Sequence, residues 1–312
     1  MMDTSRLKIR AARISVSTAA GLAAIKLVAG VLTGSLAVLA SAVDSLLDIL
    51  MSGVNYFAIK HAEQPADESH PFGHGKFETA ATLIQSTIIA LTGAWICFEA
   101  VRRLTGEIEL ARIEGGMIVL LFSVAVSSAI SRYLRRTARL TDSSALQADS
   151  LHFSMDVYTN LALLLGLILI NILKAPWLDP ILSMLVGAYI IFEAIKLLRH
   201  GMRDMLDEEL PESVRAEITR LIESHPDDLI DYHNLRTRRA GSQKIMDFHL
   251  TVCRHLTIEQ AHDIADALEK RIEDSLPGAD VTIHMEPCGS DHCPGHDECE
   301  QDKTRLKPRP TA

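Results

Sequence analysis

The first 200 residues contain six long stretches in which apolar side chains predominate. Each is close to the roughly 20 residues that a helix needs to cross a bilayer core of about 30 Å. The stretches cover approximately residues 12–34, 36–59, 79–98, 116–133, 145–173 and 180–198. The pattern predicts six transmembrane helices, and the even number places both termini on the same side of the membrane.

The pattern changes after residue 200 to charged helices and alternating strands. It predicts elements over residues 211–224 (helix), 229–239 and 244–253 (strands), 257–275 (helix) and 280–286 (strand). This α-β-β-α-β order is typical of a small sheet covered on one face by helices. We therefore predict a membrane domain over residues 1–200, a cytoplasmic α/β domain over 201–287 and a flexible tail over 288–312 that contains cysteine and histidine.

Composition and charge agree with a membrane protein. Hydrophobic residues make up 48% of the chain, which excludes a disordered protein. Residues 1–200 have 17 Lys and Arg against 16 Asp and Glu, whereas residues 201–312 have 14 against 24. An acidic polar third argues against nucleic-acid binding, which requires a basic face.

Basic residues are concentrated on the side that holds the termini, both before the first span and between the fourth and fifth. Cytoplasmic loops are usually enriched in Lys and Arg. We therefore expect a multi-pass protein of the cell membrane, the inner membrane in a Gram-negative bacterium, with both termini in the cytoplasm.

Four ionisable residues inside the predicted spans point to a metal site. Asp44 and Asp48 are four residues apart in the second span, as are His152 and Asp156 in the fifth. This spacing puts each pair on one face of its helix. One such residue alone is as often a helix–helix hydrogen-bonding group, but two matched pairs offer three carboxylates and one imidazole, a complete tetrahedral set for zinc. The nitrogen donor disfavours magnesium and calcium.

The charge of this set suits exchange of metal for protons. Three carboxylates around a divalent ion leave one negative charge, and histidine is the side chain that usually titrates near physiological pH. We therefore hypothesise that His152 and Asp156 release protons when metal enters the site and regain them when it leaves.

Three motifs occur in order along the chain. They are Gly-Ser-Leu-Ala at 34–37 followed by Ala-Val-Asp-Ser-Leu-Leu-Asp at 42–48, His-Pro-Phe-Gly-His-Gly-Lys at 70–76, and Asp-Ser-Leu-His at 149–152 with Asp156. With these motifs the chain, up to about Pro287, resembles the cation diffusion facilitator family of divalent-metal/proton antiporters.

The resemblance implies a homodimer in the lipid bilayer that exports metal from the cytoplasm against protons and is not an enzyme. It assigns Asp44, Asp48, His152 and Asp156 to a transport site for zinc, or alternatively for ferrous iron or cadmium. It also implies a metallochaperone-like fold for the cytoplasmic domain.

A second cluster lies in the loop between spans two and three. Asp67, His70 and His74 place three zinc ligands within eight residues. The resemblance implies a second metal site here, and a solvated loop is the alternative.

A third cluster is predicted in the cytoplasmic domain. Period-two alternation places His249, and likewise His284 with Glu286, on the faces of their strands opposite the apolar residues. With His233 and His262 they match the family's regulatory zinc site at the dimer contact, although Glu286 stands where relatives have an aspartate. A solvated polar face is the alternative.

Two other function classes fit parts of the sequence. An intramembrane metalloenzyme would need an open coordination position, which a set of four protein ligands does not leave. A membrane-anchored metal sensor would not need acids buried in two spans. The tail, with Cys288, His292, Cys293, His296 and Cys299, fits a weakly folded metal-gathering segment and an inert one equally well.

Overall fold

The computed structural model describes residues 4–33, 36–105, 117–173, 177–224 and 229–289. It divides the chain into two compact units, residues 1–205 and 206–312. The tail residues His292, Cys293, His296 and Cys299, for which metal gathering was considered, lie outside the described residues.

The described residues of the first unit form six helices of 25 to 30 residues. They are α1 (Thr4–Thr33), α2 (Leu36–Ala62), α3 (Lys76–Thr105), α4 (Met117–Thr141), α5 (Ser144–Leu173) and α6 (Leu178–Met205). At 1.5 Å per residue each is roughly 37–45 Å long, enough to cross a bilayer.

Three helices also have the apolar composition of a membrane span. Their spanning segments are Thr4–Leu32, Lys76–Leu104 and Pro180–Met205 in α1, α3 and α6. The prediction of a membrane-spanning domain is confirmed for these helices. For α2, α4 and α5, spanning stays a prediction.

Helices α3 and α6 approach each other closely at two glycines. A Cβ on Gly93 would lie 3.1 Å from the carbonyl oxygen of Gly187, and a Cβ on Gly187 would lie 3.0 Å from that of Gly93. Larger residues would force the two backbones apart because their side-chain atoms would collide with the facing carbonyl groups. Small residues such as glycine permit this close helix packing in membranes. Helices α3 and α6 together form one wall of the cavity described below.

Polar side chains set the register of α2 against α5. The Ser15 hydroxyl of α1 is hydrogen-bonded to that of Ser52 on α2 at 3.1 Å, and Ser52 donates to Asp149 on α5, also at 3.1 Å. All three are buried. Ser52 lies one turn after Asp48 and Asp149 one turn before His152, so these hydrogen bonds hold the two halves of the predicted transport site at the same level.

The second unit has the element order expected from the sequence. It consists of α7 (Glu212–Glu223), β1 (Leu229–Ala240), β2 (Gln243–Val252), α8 (Ile258–Ser275) and β3 (Ala279–Pro287). The sheet order is β1-β2-β3, with β1 antiparallel and β3 parallel to β2. Helix α8 is therefore the crossover that two parallel neighbours require.

One face of this sheet packs against the helices. Alternate residues of β2, from Met246 to Val252, are buried with Ile218 of α7 and with Leu268 and Ile272 of α8. Because side chains alternate across a strand, His249 is left on the opposite face.

Candidate metal centres

Helices α2 and α5 bring Asp48, His152 and Asp156 together. The Nε2 atom of His152 lies 3.0 Å from Oδ1 of Asp48, and one ligand atom from each of the three residues lies within 4.8 Å of the others. Two ligands of a tetrahedral zinc ion are about 3.3 Å apart. A small inward movement of these side chains is therefore sufficient for all three to bind one ion.

Asp44 lies outside this group of three. It is one turn from Asp48 on the same face of α2, is exposed, and lines the same cavity as the other three residues. The neighbouring Ser45 accepts a hydrogen bond of 2.8 Å from Lys26 of α1. Convergence of all four side chains on one point therefore requires a further adjustment of the Asp44 segment.

A cavity of about 530 Å³ connects this group with the C-terminal end of α3. Its lining includes Thr92, Trp95, Glu99 and Arg103 of α3. Glu99 forms ion pairs of 3.2 Å with Arg102 and Arg103, both exposed. The cavity thus extends from the site toward the C-terminal end of α3. Glu99, near that end, is about 31 Å along the helix from Glu78. The predicted topology puts this end on the side of the membrane opposite the termini.

A buried charge cluster lies at the other end of the unit. Lys8 of α1 and Glu78 of α3 are each 1% exposed, and the Lys8 ammonium lies 3.6 Å from Oε2 of Glu78. Lys8 also forms an ion pair with Glu63, which follows α2. The cluster therefore ties α1, α2 and α3 together.

Glu78 extends this cluster to α5. Its Oε1 atom accepts hydrogen bonds from the Ser143 hydroxyl and, at 3.4 Å, from the backbone N–H of Ala145. A carboxylate at the first turn of a helix satisfies unpaired N–H groups and interacts favourably with the helix dipole. The sequence pattern does not show this role, because Lys8 is one of several basic residues before the first span and Glu78 immediately precedes the apolar stretch 79–98.

The loop residues Asp67, His70 and His74 also meet. Each imidazole has a nitrogen 3.3 Å from an Asp67 carboxylate oxygen, and the ligand atoms lie within 4.8 Å of one another. The backbone N–H of His70 donates to the Asp67 carboxylate, which lowers the pKa of that group. At neutral pH the aspartate is thus in the ionised form that a metal requires.

In the cytoplasmic unit His233, His249 and Glu286 form a third group within 4.8 Å. The two histidines are opposite each other on β1 and β2. Glu286 of β3 lies 2.8 Å from Nδ1 of His249 and 3.3 Å from Nε2 of His233. His284 lies at the edge of the group, with its ring centroid 4.7 Å from that of His249.

The hydrogen bond from His249 lowers the pKa of Glu286. The folded state therefore favours the carboxylate, and this contribution to stability is present above the usual pKa of 4.5 and lost as the pH falls through the lowered value. The carboxylate is available as a ligand throughout the neutral range.

The structure does not bring His262 to this group. His262 is exposed on α8, the helix that covers the apolar face of the sheet, whereas His249 points to the opposite face. The sequence could not show this, because alternation fixes faces within strands and not the position of a helix residue relative to them. That His262 joins the cluster at the dimer contact stays a prediction.

Comparisons with known proteins identify the family of the chain. Residues 12–206 match the model of the cation efflux transmembrane domain, and residues 210–288 match that of the cation efflux protein cytoplasmic domain. The transporter sll1263 of Synechocystis sp. is 32% identical over 284 residues, 91% of this chain and 92% of its own length. The cation-efflux pump FieF of Klebsiella pneumoniae is 35% identical over 284 residues, 90% and 93% of the two chains.

Among solved structures, the metal-bound C-terminal domain of the CzcD transporter from Thermotoga maritima covers 27% of this chain and 100% of its own, with 23% identity and a TM-score of 0.25. The two family models together span nearly all of the membrane unit and the whole described cytoplasmic sheet. The chain therefore belongs to the cation diffusion facilitator family, membrane transporters for the efflux of divalent metal ions.

Proposed function

We propose that the protein is a homodimeric antiporter that exports zinc from the cytoplasm in exchange for protons. The observation that supports this most directly is the approach of Asp48, His152 and Asp156 from two helices to within 4.8 Å of one another. Carboxylates and one imidazole form a ligand set that zinc accepts readily and magnesium or calcium does not. Ferrous iron or cadmium is the alternative substrate for the same site.

Asp44 is proposed as the fourth ligand, reached when the α2 segment adjusts around the ion. In the structure the cavity extends toward the end of α3, while the opposite end is tied by the Lys8 cluster. Release of metal through that cavity and uptake from the other side require two conformations with different affinities for the ion. With the termini in the cytoplasm, the extension of the cavity toward the end of α3 supports an outward-facing state.

Metal selectivity tests the substrate assignment. In proteoliposomes with an internal metal indicator, zinc uptake should exceed manganese uptake for the wild type. His152→Asp should lower the zinc-to-manganese ratio by about tenfold or more, because it replaces the nitrogen donor by an oxygen donor. Competition among zinc, ferrous iron, cadmium and manganese ranks the substrates, and an unchanged ratio in the variant would exclude His152 as a ligand.

The same vesicles test proton exchange and the sensor alternative. If protons leave the vesicle as zinc enters, a pH gradient with the more acidic side inside should accelerate zinc uptake. Zinc uptake that does not respond to the gradient would rule out proton coupling. A membrane-anchored sensor would bind zinc without accumulating it inside sealed vesicles.

We propose that the loop cluster and the cytoplasmic cluster each bind zinc, the second with a regulatory role at the dimer contact. The described ligands within one chain are Asp67, His70 and His74 in the loop, and His233, His249 and Glu286 on the sheet. His262 and the edge residue His284 are proposed to act from across the dimer contact and from the rim of the group, respectively.

The joint variant His249→Ala/His284→Ala tests the regulatory site. It should lower the zinc bound per purified chain by about one ion and raise the zinc concentration for half-maximal flux several-fold, while maximal flux remains within about twofold. Thr282→Ala, an exposed change on the same face of β3, is the matched control. Complete loss of flux in the joint variant would contradict a purely regulatory role.

A further inference from the structure

A polar cavity of about 530 Å³, separate from the transport site, lies among the end of α4, the beginning of α5 and the C-terminal part of α6. Its charged lining residues are Arg135, Arg139, Asp142, Glu193, Lys196 and His200. Three permanent cations face two carboxylates, which gives one net positive charge.

An apolar groove of about 400 Å³ adjoins this cavity between α5 and α6. It is lined by Leu161, Ala162, Leu165, Leu182, Leu185 and Val186. Tyr158 and Tyr189 line both spaces, and their ring centroids are 5.4 Å apart. The basic cavity and the apolar groove are therefore contiguous, with two tyrosines at their boundary.

The combined length of the cavity and the groove, about 21 Å along α6, matches the thickness of one leaflet of a bilayer. Along α6, Lys196 is seven residues from Tyr189, and Tyr189 is seven residues from Leu182, so each interval is about 10 Å. One leaflet has about 15 Å of hydrocarbon below a headgroup layer of about 5–7 Å. Tyrosine is enriched at this boundary because its ring is apolar and its hydroxyl is polar.

The charges favour a phosphate in the cavity. Arginine guanidinium groups bind phosphate oxygens in a bidentate manner, and basic pockets between membrane helices bind lipid headgroups. Arg135 donates a 3.2 Å hydrogen bond to Ser154 of α5, which fixes it beside the cavity, and Lys196 pairs with Glu193 at 3.4 Å. One net positive charge complements a lipid with one net negative charge and disfavours the cationic group of a zwitterionic one.

We propose that this cavity and groove bind one anionic phospholipid, with its phosphate among Arg135, Arg139 and Lys196 and an acyl chain along the groove. Such a lipid would contact α4, α5 and α6 at once. Because α5 contains His152 and Asp156, the lipid would hold the helix that supplies half of the transport site.

The test uses the purified full-length protein in phosphatidylcholine nanodiscs into which phosphatidylglycerol is titrated. Native mass spectrometry reports the phosphatidylglycerol retained per chain. Arg139→Gln should weaken retention about fivefold, since one cation near a membrane surface contributes about 1 kcal/mol. The double change Arg139→Gln/Lys196→Gln should weaken it about 25-fold. Arg136→Gln is the matched control, because Arg136 is exposed on the same helix and outside the cavity lining.

Each outcome decides the proposal. Selective loss in the Arg139 variants with an unaltered Arg136 control would support it. Equal retention in the Arg139 and Arg136 variants, or equal retention of phosphatidylcholine and phosphatidylglycerol, would overturn it. Glycerol phosphate that displaces the lipid at an equal concentration would show a site for soluble phosphate, which also overturns the lipid assignment. Unchanged thermal unfolding of the variants in phosphatidylcholine establishes that they are folded.

Discussion

Zinc flux through Asp48→Asn is expected to fall by at least about 100-fold. Loss of groups that merely orient ligands costs about 10–100-fold in metal affinity, so loss of a charged ligand should reach the upper limit of that range or exceed it. Asparagine has the same shape as aspartate, and its oxygen can still accept a hydrogen bond from Nε2 of His152, which lies 3.0 Å from Asp48. The substitution therefore removes charge and preserves packing. The measurement is zinc uptake into proteoliposomes at matched protein density.

Thr92→Val is the matched control for this experiment. Thr92 lines the same cavity, and its hydroxyl donates a 3.0 Å hydrogen bond to the carbonyl of Ile88 on its own helix. We expect this variant to transport zinc within about threefold of the wild type. Near-wild-type flux in Asp48→Asn, together with normal folding, would show that zinc transport does not require the Asp48 carboxylate.

Lys8→Met is expected to destabilise the membrane unit by about 3–5 kcal/mol. Removal of one partner from a buried ionic group leaves the remaining charge without compensation, which is the costly case. Glu78 would remain 1% exposed beside Glu63 with the Lys8 ammonium gone. The measurement is the free energy of unfolding of the purified protein in detergent, monitored with a spectroscopic probe in the first unit.

Two further variants separate this effect from a general effect of lost lysine. Lys60→Met, at an exposed position in α2, should change stability by less than about 0.5 kcal/mol. The triple variant Lys8→Met/Glu63→Gln/Glu78→Gln should recover most of the loss, because a neutral set of similar volume has no buried charge to compensate. Equal stability of Lys8→Met and the wild type would mean that the cluster contributes nothing.

The pattern of the sequence placed the candidate ligands on common faces of their elements, because this placement follows from local geometry. Four-residue spacing on a helix requires only 3.6 residues per turn, so Asp48 and the His152–Asp156 pair could be placed on helix faces without knowledge of the fold. Period-two alternation likewise placed His249 and Glu286 on the polar face of the sheet. A three-residue loop cluster, Asp67 to His74, is close in space because it is close in the chain.

Features that depend on helix–helix contacts could not be predicted from the sequence. Lys8 and Glu78 are 70 positions apart, and only the folded helix bundle brings the N-terminal turns of α1 and α3 close enough to make them partners. The cap that Glu78 provides to α5 has the same origin. Asp44 is on the same face of α2 as Asp48 but lies outside the group of three. The distance from its side chain to residues of α5 depends on the tilt and register of the two helices as well as on which face the side chain occupies.

The amino-acid sequence alone determined the apolar spans, the order of elements in the cytoplasmic unit and the residue types available to a metal, because hydropathy and periodicity are local properties of the chain. Only the tertiary structure decided which of those residues meet. It joined Asp48 to His152 through the Ser52–Asp149 register, left His262 exposed on α8 outside the group of three, and placed a basic cavity beside an apolar groove. These results depend on packing between segments far apart in the chain, where small differences in tilt and register change distances by several ångströms.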